Sequence, residues 1–238
     1  MIKVLINGYN GKMGQMVLNQ IKASQDFECI GGTDISLSIN EITEKPDVII
    51  DFSTPEASLS ILQYAEKNKI PVVIATTGFS DEQTAKIKKY SKTLPIFKSA
   101  NMSYETNLMI ALVSKLAKEL TGSDIEIVET HHNKKVDAPS GTALMIADGI
   151  NEALDHEMYY EYDRHSKRAP RSQKEIGIHS IRGGTEVGKH TVFFFGDNES
   201  LEISHTVTSR AVFANGALKA AKFIINKPAG FYDMKDLV

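Results

Sequence analysis

Ile2 to Ile6, apolar at every position but Lys3, reads as a buried strand at the start of the chain. A glycine-rich stretch, Gly8 to Gly14, follows it, and Met13, Met16, Val17, Leu18 and Ile21 then recur at helical spacing. The alternation continues through the first hundred residues, with strands predicted near Phe27 to Thr33, Val48 to Phe52, Val72 to Ala75 and Leu94 to Phe97. Pro55 opens a helix carrying Leu59, Leu62 and Ala65, with Ser53 or Thr54 as its cap. Ser80 or Asp81 precedes a polar helix ending near Lys92. Strands and helices at this spacing predict a parallel sheet with helices on both faces.

The pattern changes after about Asn101. Leu108, Met109, Leu112, Val113, Leu116 and Leu120 mark a long helix, and Ile125 to Glu129 then alternates apolar and polar as a strand does. Glu175 to Ile181, His190 to Phe195 and Leu201 to Thr208 read as short strands, separated by turn signals at Gly183-Gly184, Gly188-Lys189 and Gly196-Asp197-Asn198. A run of strands joined by turns predicts a second domain with a mixed or antiparallel sheet. Ala211, Ala214, Leu218, Ala221 and Ile225 mark a last helix, expected to pack back on the first domain. The predicted class is α/β, a Rossmann-type parallel-sheet domain plus a smaller α+β domain. The first domain is expected to be discontinuous, residues 1–102 with 213–238, and the second to span residues 103–212.

Composition narrows the function. A net charge of -3 gives no global attraction to nucleic acid or anionic lipid. No apolar run approaches the roughly 20 residues needed to span a bilayer, and the N-terminus lacks the pattern of a secretory signal. Cys29 is the single cysteine, so no intrachain disulfide can form, which fits a reducing, cytoplasmic setting. Cys29 reads as a buried, inert thiol in a strand, which sets aside aldehyde oxidation through a thioester.

Gly8-Tyr9-Asn10-Gly11-Lys12-Met13-Gly14 lies between a predicted strand and a predicted helix, the context that dinucleotide binding requires. Glycines let the backbone approach a pyrophosphate, and the helix N-terminus meets its charge. Asp34 stands 20 residues past Gly14, at the end of the second strand, where a carboxylate would accept hydrogen bonds from ribose hydroxyls. No arginine follows it to receive a 2′-phosphate, so NADH is expected to serve at least as well as NADPH. The loops Asp51 to Pro55 and Ala75 to Phe79 leave the carboxyl ends of strands, and their hydroxyls fit ribose contact and helix capping equally well.

Glu129 to Leu144 is the most informative stretch. It runs from a strand through His131-His132-Asn133-Lys134-Lys135 to a helix opened by Pro139, Ser140, Gly141 and Thr142. Cations beside free helix N–H groups make a carboxylate pocket, and the same side chains can move protons. Adjacent histidines on a strand point to opposite sides, so no metal site is expected. His165, Lys167, Arg168, Arg171 and Lys174 are expected in a solvated, mobile loop or a lid, while His156, His179 and His205 show no partner pattern.

These residues resemble one family over nearly the whole chain, that of 4-hydroxy-tetrahydrodipicolinate (dihydrodipicolinate) reductase. The resemblance is carried by Gly8 to Gly14, Asp51-Phe52-Ser53, Thr76 to Phe79, Ala100-Asn101, His131-His132, Lys135 to Leu144, Ile181 to Gly184, Val187 to His190, and Ser209-Arg210 with Phe213 to Ala217. It implies reduction of a small cyclic, unsaturated dicarboxylate with NADH or NADPH, with loss of water, in bacterial diaminopimelate and lysine synthesis. It implies that His131 donates and accepts a proton, that Lys135 is the general acid, and that His132, Gly141 and Thr142 hold the substrate carboxylates. Cofactor contacts would fall to Gly8, Tyr9, Asn10, Gly11, Lys12, Met13, Asp34, Ala75, Thr76, Thr77, Ser99, Ala100, Asn101 and Met102. A homotetramer assembled through the second sheet is also implied. Asn133, Lys189 and Met102 depart from the family's usual arginine, glutamate and phenylalanine. Neighbouring cations are expected to ease proton release from Lys135. An amino-acid dehydrogenase with the same cofactor fold is the alternative enzyme. A dinucleotide-sensing regulator would need a DNA-binding element or basic patch, and the sequence offers neither.

Overall fold

Val4, Leu5 and Ile6 are all fully buried, because the strand that carries them, β1 (Ile2–Asn7), has a partner on each side and helices on each face. The structure is a computed structural model that describes residues 1–238, the side chain of Asn40 excepted. It divides into two compact units, Met1–Tyr104 with Ala211–Val238, and Glu105–Arg210.

In the first unit, β1 is followed by α1 (Lys12–Lys22), β2 (Phe27–Thr33), β3 (Val48–Asp51), α2 (Pro55–Asn68), β4 (Val72–Ile74), α3 (Asp81–Tyr90) and β5 (Pro95–Lys98). All pairings are parallel, and the strand order is β11-β5-β4-β3-β1-β2, with β11 (Gly230–Tyr232) contributed by the C-terminal segment. Alternate residues feed two cores. Val4, Ile6, Ile50 and Phe97 pack with Val17, Leu18 and Ile21 of α1 and with Ala217 and Ala221 of the last helix. Leu5, Ile49, Ile74 and Ile96 pack with Ile61 and Leu62 of α2 and Ile87 of α3. The strand order reverses at β1, so ligand crevices are expected beyond the carboxyl ends of β1, β2 and β3. Thr54 caps α2 through its side chain, and Ser80 with Gln83 forms a capping box on α3.

The second unit runs α4 (Tyr104–Glu119), β6 (Asp124–His131), α5 (Gly141–Ala153), β7 (Tyr159–Glu161), β8 (Glu175–Arg182), β9 (Gly188–Phe195) and β10 (Ser200–Val207). Its sheet is mixed, ordered β10-β9-β6-β8-β7, with β6 and β7 parallel to β8, and β9 antiparallel to both β6 and β10. Ile125, Ile127, Ile176, Ile178, Val192 and Phe194 cover one face against Met109 and Val113 of α4 and Ile146 and Ile150 of α5. The remaining helix, α6 (Ala211–Ile224), belongs to the first unit and packs on α1 and the sheet there through Ala214, Ala217 and Ala221.

His165, Lys167, Arg168 and Lys174 are exposed as a solvated loop requires, but Arg171 is held more firmly. Arg171 is mostly buried. It donates to Glu126 at 2.9 Å and Asp124 at 2.8 Å, and to the carbonyls of Ile125 and Glu175 at 2.9 and 2.6 Å. Arg164 pairs with Glu175, and Lys167 with Glu161. Arg171 thus ties the segment to β6 and β8. His179 also has a partner, Glu126, at 2.7 Å. Cys29 is half-buried, and burial pushes its thiol above the usual range.

Candidate functional site

The first unit holds a cleft of about 650 Å³ beyond the carboxyl ends of β1, β2 and β3, lined among others by Asn7, Gly8, Asn10, Gly11, Asp34 and Ser53. Gly8 has φ of +83°, and a Cβ there would stand 2.4 Å from the Phe52 carbonyl oxygen, so only glycine lets the chain turn there. No side chain caps α1 and no acidic residue lies in its first turn, leaving that helix start open to an anion. Asp34 accepts hydrogen bonds from the amides of Asn10 at 2.8 Å and Ile35 at 2.7 Å, and no basic side chain pairs with it among the described residues. A tight glycine turn, an uncapped helix start and a carboxylate at the next strand end fit a dinucleotide.

The expected cofactor residues divide by position. Gly8, Asn10, Gly11 and Asp34 line the cleft. Lys12 is exposed at the start of α1, Met13 packs against the core, and Tyr9 lies against Gly32, where a Cβ would meet its ring. Ala75, Thr76 and Thr77 follow β4, and Thr76 turns inward to the Asp51 carboxylate while Thr77 is exposed. Ser99, Ala100, Asn101 and Met102 follow β5. The buried Ser99 hydroxyl donates to the Asn101 carbonyl, and Met102 is only 2% exposed within the core, so its side chain offers no face to a ligand here. The cleft also brings in Asn7, Phe52, Ser53, Thr54 and Tyr64, of which Phe52, Ser53 and Thr54 were legible only as an ambiguous loop.

In the second unit, alternation along β6 turns Ile125, Ile127, Glu129 and His131 to one buried face. Glu129 is fully buried, and Arg182 grips it with two bonds, Nη1 to Oε2 at 2.8 Å and Nη2 to Oε1 at 2.6 Å. His131 Nδ1 lies 2.6 Å from Glu129 Oε2, and the Ser140 amide donates to Oε1 at 3.2 Å. Burial alone would raise the Glu129 carboxyl, but hydrogen bonds from Arg182, Ser180 and His131 outweigh it and hold it at about 2. An ionised Glu129 fixes the hydrogen of His131 on Nδ1 and leaves Nε2 to take or give a proton. Gly188 leaves room there, since a Cβ on it would lie 3.0 Å from that nitrogen. The His190 ring meets His131 edge-on at 5.2 Å, its Nε2 lies 3.0 Å from Ser140 Oγ, and burial and His131 push it down to about 4.

The other expected residues of this segment lie close by in the chain. Lys135 Nζ is 2.8 Å from Asp137 Oδ1, so its ionic partner is a carboxylate, not the cations expected around it. Lys135 holds the Asp137 carboxyl below its usual range. His132 donates its amide to the Glu186 carbonyl at 2.7 Å, while its ring Nδ1 is buried without a partner among the described residues. Gly141 and Thr142 open α5, whose first turn holds no acidic residue. That helix start is less open than expected, since Ser140 caps Ala143 and gives its own amide to Glu129. Asn133 and Lys134 are exposed. Glu129, Arg182 and His190 received no role from the sequence, although Glu129 stands two residues before His131 on a strand, the spacing that puts two side chains on one face.

The family model for the N-terminus of dihydrodipicolinate reductase matches residues 2–102, and that for its C-terminus matches residues 106–238. A 4-hydroxy-tetrahydrodipicolinate reductase of Caldanaerobacter subterraneus subsp. tengcongensis is 51% identical, covering 100% of this chain and 98% of the relative. One from Clostridium tetani is 44% identical, covering 98% of this chain and 96% of the relative. The dipicolinate-bound dihydrodipicolinate reductase of Paenisporosarcina sp. TG-14 superposes with a TM-score of 0.80 at 25% identity, over the full length of both chains. An amine dehydrogenase of Mycobacterium smegmatis shares the fold alone, with a TM-score of 0.61 at 11% identity. With both family models matched in sequence order and the glycine turn and the Glu129–His131 pair each lying inside one of them, the chain belongs to the dihydrodipicolinate reductase family.

Proposed function

We propose that this chain is an NAD(P)H-dependent oxidoreductase that converts 4-hydroxy-tetrahydrodipicolinate to tetrahydrodipicolinate with loss of water, in bacterial diaminopimelate and lysine biosynthesis. The arrangement at the end of β6 carries the reading: a buried His131 oriented by an ionised carboxylate, four residues before Lys135 and ten before a helix start without acidic residues. A bound NADH or NADPH supplies the hydride. Lys135 gives the proton that quenches the negative charge left at the far end of the conjugated substrate, and His131 exchanges a proton at Nε2. His132, through its unpartnered Nδ1, holds one substrate carboxylate together with Gly141 and Thr142. Gly8, Tyr9, Asn10, Gly11, Lys12, Met13 and Asp34, with Ala75 to Thr77 and Ser99 to Asn101, form the cofactor side.

Residues 1–102 with 213–238 serve as the dinucleotide-binding domain, and residues 103–212 bind substrate and form the contacts of a homotetramer. The sheet face opposite α4 and α5, with Ile181 and Phe195 exposed, is the surface such an assembly would use. Among the described residues no helix is long and apolar enough to cross a membrane, and a cytoplasmic location fits the pathway.

The roles are tested by Lys135→Ala and His131→Ala. Each is expected to lower turnover about 10²–10⁴-fold with NADH affinity unchanged. Full activity in either variant, or equal loss of NADH binding, contradicts its assignment.

A further inference from the structure

The proposed chemistry leaves one fully buried carboxylate unused. Asp51 ends β3 beneath the cleft, and no cation reaches it among the described residues. Its four partners are neutral donors from separate parts of the sheet's carboxyl edge. Asn7 Nδ2, at the end of β1, donates to Oδ1 at 2.8 Å, and the Ser53 hydroxyl donates to the same oxygen. Thr76, just after β4, donates to Oδ2 at 3.1 Å, and Ser58 of α2 donates to Oδ2 as well. The network extends one bond further on each side. Asn7 Oδ1 accepts from Thr33 Oγ1 at 2.8 Å, immediately before Asp34, and Thr76 Oγ1 accepts the Ser53 amide at 2.9 Å.

We infer that Asp51 is the positioning residue of the cofactor cleft, its carboxylate fixing the loops after β1, β3 and β4, and the end of β2 through Asn7, in one binding arrangement. The inference rests on the cofactor reading above and assigns to Asp51 no contact with the dinucleotide. The physical reason is acceptor capacity. Two carboxylate oxygens take four donors at once, which no neutral side chain of that size can do. Burial pushes the carboxyl up, against the pull of its four hydrogen bonds, so the arrangement is held by those bonds and not by a neighbouring charge. The loops so joined carry Gly8, Ser53 and Thr76, and a shift at any of them moves backbone that lines or adjoins the cleft.

The test compares Asp51→Asn with Ser58→Ala by calorimetric titration with NADH, steady-state kinetics and thermal unfolding. Asparagine keeps the shape but turns one acceptor end into a donor. The Ser58 hydroxyl can adapt by donating to the Thr54 carbonyl, which lies 2.9 Å away, while the loop donors cannot all be served. Asp51→Asn is expected to raise the NADH Kd and KM at least about tenfold, with kcat at saturating NADH within about threefold of wild type. Ser58→Ala removes a donor of equal number from a helix, not from a loop, and is expected to lower Tm with NADH Kd within about twofold.

An unchanged Kd in folded Asp51→Asn overturns the inference, as does a loss confined to kcat. An equal rise in Kd for Ser58→Ala overturns it too, since general loosening would then suffice. Should Asp51→Asn fail to fold, Thr33→Val and Thr33→Ser decide, since Thr33 also lines the cleft: a rise in NADH Kd in the valine variant that the serine hydroxyl reverses supports the network, and an unchanged Kd with valine, or an equal rise with serine, refutes it. Failure of wild-type protein to bind NADH would instead sink the cofactor reading itself.

Discussion

Replacing Glu129 with glutamine keeps the side chain's shape and removes the charge that Arg182, His131 and Ser140 share. The carboxylate accepts from Arg182 at 2.8 and 2.6 Å, from the Ser140 amide at 3.2 Å and from His131 Nδ1 at 2.6 Å. An amide brings one oxygen. With it turned toward Arg182 Nη2 and Ser140, the new NH₂ group faces Arg182 Nη1 and His131 Nδ1, and two donor–acceptor contacts become donor–donor. Hydrogen bonds to charged groups contribute about 1.5–3 kcal/mol each, so losing two costs about 3–6 kcal/mol before relaxation. His131 can relieve one clash by moving its hydrogen from Nδ1 to Nε2, which brings the net loss to about 2–4 kcal/mol. That relief has a chemical consequence, because Nε2 then carries a fixed hydrogen and can no longer take up a proton in the exchange assigned to it. Glu129→Gln is therefore expected to lower kcat about 10²–10⁴-fold, with the NADH Kd unchanged. Urea unfolding, calorimetric titration with NADH and steady-state kinetics read the three quantities. A variant with kcat within threefold of wild type and unchanged stability would refute the role given to Glu129.

Three further predictions are independent of that one. His190 titrates at about 4 in the folded chain against 6.5 ordinarily, so the unfolded chain binds more protons between those values. Its contribution is complete above pH 6.5 and lost as pH falls to 4, worth about 3 kcal/mol, and unfolding series on wild type and His190→Gln should show this slope flattened in the variant. A Cβ on Gly14 would lie 2.2 Å from the Gly8 carbonyl oxygen, so Gly14→Ala must displace the glycine turn. It should raise the NADH Kd at least about tenfold with a lower Tm, and an unchanged Kd would contradict the placement of the cofactor. Asp34 lacks a cationic neighbour among the described residues, so NADH should serve at least as well as NADPH; a tenfold advantage for NADPH in kcat/KM would refute that reading.

The strands of the first unit were legible because their apolar runs are bounded by glycine, proline and capping residues. The pattern at Phe27 to Thr33 matches β2 residue for residue. Its edge strand β11 was not, since three residues after Lys227-Pro228 carry no periodicity and pair only through the register with β5. β7 escaped for the same reason. Within the Arg164 to Lys174 segment only Arg171 misled, because one cation in an exposed string reads as solvated until the carboxylates of β6 are placed around it. Around His131, the histidine and lysine were visible as chemistry. Their support was not, because Arg182 reaches Glu129 from β8, whose register against β6 pairs His131 with Arg182. Met102 was read as lining a ligand, and its burial in the core reflects the packing of α6 behind it.

The most direct test follows NADH consumption by the purified chain on 4-hydroxy-tetrahydrodipicolinate freshly made by condensing pyruvate with aspartate semialdehyde. The account predicts stoichiometric oxidation of NADH that depends on both precursors and falls about 10²–10⁴-fold in Lys135→Ala. Folded protein that binds NADH yet consumes none with this substrate would contradict it.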